Sequence, residues 1–122
     1  MDEPDAFDRA CEFDSTGHPD LAVPLYREAL EQGLEGENRR RAVIQMASSL
    51  RNLGEVDESV TLLTAELNQP SDHLDDAVRA FLALALADVG REREGLRHAL
   101  SALAPHLPRY QRSLASYAED LA

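Results

Sequence analysis

The stretch GHPDLAVPLYREAL, residues 17–30, sets a glycine ahead of two prolines and places Ala22, Tyr26, Ala29 and Leu30 at the three- and four-residue steps of one helix face. A proline costs roughly 3 kcal/mol inside a helix but little in its first turn, where the amide hydrogen it lacks has no helical partner. Pro19 therefore marks a helix start. Pro24 puts only one or two backbone bonds at risk, which predicts a slight bend rather than a break. A turn followed by a helix is the unit so defined, and it recurs.

Glycine-marked turns stand at Gly17 (STGHPDLA), Gly54 (NLGEVDES) and Gly90 (DVGREREG), separated by 37 and then 36 residues. Five residues after each glycine comes a small residue, Ala22, Ser59 or Gly95, and four residues later Tyr26, Leu63 or Ala99. A leucine closes each unit at Leu30, Leu67 and Leu103. Seven residues before each glycine lies Ala10, Ala47 or Ala83, and four before it Phe13, Leu50 or Leu86. Small side chains at fixed points let two helices approach closely, while the large ones fill the space between neighbouring hairpins. A period in this range predicts stacked helical hairpins.

On these residues the chain resembles the tetratricopeptide repeat family, whose pattern runs W-x2-L-G-x2-Y, then A-x3-F, a further alanine and a proline. GHPDLAVPLYREAL is similar to the second half of such a unit, while Ala6, Val43 and Arg79 hold the tryptophan place. The resemblance implies an all-α fold, a right-handed α-solenoid of three helical hairpins plus a C-terminal capping helix. Periodicity and punctuation predict seven helices over roughly 3–16, 19–32, 36–53, 56–68, 72–89, 92–103 and 108–121. The hairpins are then 3–32, 36–68 and 72–103, with the cap at 108–121. Asp72 and Asp75 read as the N-terminal cap of the fifth helix. In the seventh, Leu107, Tyr110, Leu114, Tyr117 and Leu121 form the stripe expected to close the stack.

Length and a hydrophobic content of 43% suit one domain, 1–122, with one core. The longest apolar run, 80–87, is far short of the roughly 20 residues that span a bilayer, and the acidic MDEPDAFD is unlike a basic signal-peptide start. A soluble cytoplasmic protein is expected. The single Cys11 makes no internal disulfide and agrees with a reducing compartment. Of the formal charge of -11, residues 1–38 carry -9, and such acidity disfavours nucleic acid and anionic membrane as partners.

In the resembled family the first helix of each hairpin lines a concave groove, so polar residues on those helices are the candidates for binding. ENRRRAVIQMASSLRNLG puts Val43, Met46, Ala47, Leu50 and Leu53 on one face and Arg41, Gln45, Ser48 and Asn52 on another. Such a stripe can hydrogen-bond an extended peptide or a carboxylate, with Arg41 offering a bidentate fork; a solvated face without ligand is the other reading. Phe7, Cys11, Phe81 and Leu84 are the remaining groove candidates. The family's clamp for a C-terminal carboxylate uses lysine and asparagine, whereas the matching places here hold Phe7, Cys11, Gln45, Ala77 and Phe81, so a chaperone-tail function is not implied.

Arg39, Arg40, Arg41 and Arg51 concentrate positive charge, which invites an acidic peptide or internal pairing with Glu35 and Glu37. Ala77, Phe81, Leu84 and Asp88 make the groove side of the fifth helix mostly apolar. Coverage by the seventh helix is the favoured expectation, and an open patch for a partner or second copy the alternative. His73 among aspartates suits capping better than metal, and neither Cys11 with His18 nor any phosphate loop supplies catalytic chemistry. The expectation is a non-enzymatic module without cofactor or metal that binds a protein or peptide segment. The alternative is a homo-oligomeric scaffold, a homodimer for example, associating through Tyr110, Leu114 and Tyr117.

Overall fold

A computed structural model describes residues 5–121. Among them are seven α-helices: α1 (Ala6–Ser15), α2 (Pro19–Glu31), α3 (Gly36–Asn52), α4 (Val56–Glu66), α5 (Asp75–Asp88), α6 (Glu92–Leu103) and α7 (Gln111–Glu119). A 3-10 turn, Ala104–His106, follows α6, and no strand is present among the described residues. The expected start of the first helix at residue 3 lies outside the described residues. Two compact units, Met1–Ser59 and Val60–Ala122, divide the chain within α4.

The three glycine bends are equivalent. Gly17, Gly54 and Gly90 have φ of 82°, 85° and 82°, the left-handed region that penalises a Cβ. Beyond each glycine the next amide reaches back five residues: His18 to the Phe13 carbonyl at 2.9 Å, Glu55 to Leu50 at 2.8 Å and Arg91 to Leu86 at 2.9 Å. The glycine amides themselves donate to Asp14, Arg51 and Ala87, completing the same helix-ending motif each time.

Within the first unit α1 packs on α2, and α3 packs on both. Ala10, Ala22, Tyr26, Ala42 and Ala47 are wholly buried there. Pro24 sits exposed on α2, which runs unbroken through it. The recurrent small residues stand where the helices of a hairpin touch. Ser59 Oγ donates to the Ala47 carbonyl at 2.8 Å, and a Cβ added to Gly95 would lie 2.8 Å from the Ala83 carbonyl oxygen. Ala10 and Ala22 keep the same separation in sequence, and both are at 0% exposure.

In the second unit α5 packs on α6, and α7 packs on α6 and the 3-10 turn. Two helix starts fall later than expected. Asp72 is spent on a turn, its Oδ1 accepting from the Leu74 amide at 2.8 Å, so α5 begins at Asp75 rather than 72. Tyr110, with φ 71°, follows Pro108 in a left-handed bend, so α7 begins at Gln111 rather than 108.

The expected α7 stripe is also rotated. Ala118 is wholly buried and Leu114, Ala115 and Leu121 are half-buried, while Tyr110 and Tyr117 are 74% and 70% exposed. An alanine-centred face brings α7 closer to α6 than a tyrosine stripe would permit. The backbones of α7 and α5 do not come together among the described residues, and Leu84 remains 47% exposed. The expected coverage of the α5 face by the seventh helix is therefore not what the chain builds.

Candidate functional site

α1 carries Phe7, Cys11 and Asp14 at the spacing of one helix face, and α3 carries Arg41, Gln45, Ser48, Ser49 and Asn52 at the same kind of spacing. The two helices converge beside Tyr26 of α2, and three hydrogen bonds tie them. Tyr26 Oη donates to Asp14 Oδ2 at 2.6 Å and accepts from Gln45 Nε2 at 2.9 Å. Ser49 Oγ donates to Asp14 Oδ1 at 3.3 Å, so both carboxylate oxygens are engaged. The Gln45 amide also lies 3.3 Å from Cys11 Sγ. Burial first, and the hydrogen bond to Asp14 second, push the Tyr26 phenol above its ordinary value, which keeps it a neutral donor.

Above this lock lies a recess of about 260 Å³, walled by Cys11, Asp14, Ser15, Arg41 and Gln45. The Arg41 guanidinium is exposed, hydrogen-bonds Asn38 Oδ1 at 3.2 Å and lies 5.3 Å from the centre of the Phe7 ring. That cation–π contact holds the arginine over the first unit and leaves other N–H donors of its fork for water or a ligand.

The predicted polar stripe thus divides by role. Gln45 is a positioning residue, because its amide nitrogen is already committed to Tyr26 and Cys11. Ser48 is half-buried and Asn52 exposed, and neither makes a side-chain hydrogen bond among the described residues. Phe7 is only 5% exposed, sealed beneath Arg41 and 6.4 Å from the Tyr26 ring, so it supports the recess instead of meeting a partner. Phe81 is half-buried and Leu84 exposed in the second unit, where Leu84 lines an apolar recess of about 350 Å³ between α5 and α6. Asp14 and Ser49 escaped sequence reasoning, and Tyr26 was read as core alone. The usable signal was positional: where the first unit has Asp14 and Tyr26, the later ones have Arg51 with Leu63 and Ala87 with Ala99.

Paired antiparallel helices joined by repeated glycine bends, with polar side chains on one helix face, define a helical-repeat protein. The family model of the tetratrico peptide repeat matches residues 4–121, and the chain belongs to the tetratricopeptide repeat family. Proteins of this family serve generally as non-enzymatic protein–protein interaction modules. No curated protein and no solved structure matches the chain. Among the described residues no helix is long and apolar enough to cross a membrane.

Proposed function

We propose that the chain captures an extended peptide segment of a partner protein on the polar face shared by α1 and α3. The observation that carries this reading is the Arg41 recess: an exposed guanidinium stands beside the half-buried Asp14 carboxylate over a network that fixes both helices. Donor and acceptor side by side suit the alternating carbonyls and amides of an extended backbone. Ser48 and Asn52 continue the face along α3, and Cys11 adds a small, weakly polar wall. Binding of this kind uses no cofactor.

Selection from a displayed random-peptide library tests it. Peptides recovered on the native chain lose binding to the Arg41→Ala/Asn52→Ala double variant, whose melting temperature falls by no more than about 5 °C, the cost of losing the exposed Arg41–Phe7 contact. Peptides that bind both proteins equally defeat the assignment of this face. A second reading rests on a separate observation, the 74% and 70% exposure of Tyr110 and Tyr117 beside half-buried Leu114, which suits self-association through α7. Sedimentation at two concentrations distinguishes it: a dimer dispersed by Tyr117→Asp supports that reading, and a monomer throughout removes it.

A further inference from the structure

A recess of about 610 Å³ lies among α6, the 3-10 turn and α7, with Arg79 of α5 in its wall, and its size falls in the range of roughly 300–1,000 Å³ typical of small-molecule sites. Arg97 and Arg112 also line it, one from α6 and one from α7. In a chain of net charge -11, where carboxylates are abundant, three arginines line this one recess. Arg79 keeps Asp76 as partner at 3.0 Å. Arg97 and Arg112 make no ion pair or hydrogen bond among the described residues, and the Arg97 Nε is buried without a partner. A guanidinium without a carboxylate partner keeps its full charge and the donors of its outer fork for an incoming acceptor.

The rest of the wall favours an anion with an apolar body. Pro105 and Ala115 supply apolar surface, and Glu119 is the one carboxylate among the lining residues. His98 stands in the same wall. Burial first, then the Arg97 charge, holds its imidazole below the ordinary value; Arg79 and Arg91 act in the same sense, and Glu94 opposes them. A neutral imidazole adds a hydrogen-bond donor to the guanidinium groups without adding charge.

We propose that this recess binds an oxyanion, the phosphate or carboxylate of a small and partly apolar molecule, through the free forks of Arg97 and Arg112, with Arg79 and His98 completing the contacts. Guanidinium groups match both anions bidentately. The site belongs to the second unit and stands independently of the peptide face on α1 and α3.

Titration of the isotope-labelled full chain with phenyl phosphate, benzoate and inorganic phosphate, followed by NMR, tests it. Saturating shifts at the Ser101, Ala104 and Ala115 amides and the His98 ring are expected with at least one organic anion. The tighter of the two names the source, phosphate or carboxylate. Arg97→Met and Arg112→Gln each weaken that binding about tenfold, and Arg112 is exposed, so its replacement spares the fold. Shifts that never saturate, that centre on Arg39 and Arg41 instead, or that survive Arg112→Gln unchanged overturn the proposal. Inorganic phosphate binding as tightly as phenyl phosphate contradicts its partly apolar ligand.

Discussion

The first and third hairpins share one backbone device and fill it differently. At the first, Asp14 and Tyr26 stand three residues before and nine after the glycine bend, and with Gln45 they close a hydrogen-bonded lock. At the third, Ala87 and Ala99 occupy those places, and a recess of about 350 Å³ lined by Leu84 and Leu96 stands open instead. Those two leucines remain 47% and 49% exposed. The bend geometry is the same in both, with equal φ and the same backward hydrogen bond. The glycine bend and the small-residue contact therefore suffice for the hairpin, and the side chains above it are free to serve either rigidity or exposure.

Emptying the lock is the most damaging way to break that contrast. Tyr26→Ala removes a wholly buried ring and is expected to cost about 3–5 kcal/mol by chemical denaturation. Tyr26→Phe keeps the ring but leaves Asp14 and Gln45 without their shared hydroxyl, for a loss of about 1–3 kcal/mol.

At the third hairpin the sensitive point is the backbone contact. Gly95→Ala gains about 1 kcal/mol of helix propensity, yet its Cβ would meet the Ala83 carbonyl oxygen at 2.8 Å, and overpacking against backbone costs about 1–3 kcal/mol. A net loss on the order of 1 kcal/mol is expected, and Gly95→Ala more stable than the native chain would refute the close approach.

Alkaline pH probes the lock without emptying it. The folded chain holds the Tyr26 proton more tightly than the unfolded chain, whose tyrosine titrates near about pH 10. Its contribution to stability is full below about pH 10 and declines as pH rises further, by up to about 1.4 kcal/mol per pH unit. Denaturation midpoints measured across that range fall less steeply for Tyr26→Phe than for the native chain. The smallest effect belongs to the open recess: Ala99→Leu adds apolar surface beside Leu84 and Leu96 and is expected to stabilise by less than about 1 kcal/mol, since that space is only partly enclosed.

The helical architecture was legible because its signals are local. Glycine at a left-handed bend, proline in a first turn and three-to-four periodicity act within a few residues, so α2, α3 and α6 match their expected bounds closely. The later starts of α5 and α7 depend on an aspartate side chain folding back on a turn and on one left-handed tyrosine, which periodicity does not encode. Of the candidate site, the α3 stripe was readable, but the division of labour within it was not. Gln45 meets Tyr26 across 19 residues of sequence, and Phe7 is sealed by an arginine from another helix. Arg79, Arg97 and Arg112 likewise come together only through the packing of three helices.

The equivalence of the three bends is tested most directly by amide hydrogen exchange at His18, Glu55 and Arg91, the donors of the backward hydrogen bonds to Phe13, Leu50 and Leu86. Protection at all three, within roughly tenfold of one another, is the expected result. Free exchange at any one of them, with its flanking helices still protected, would contradict a fold built on one repeated turn.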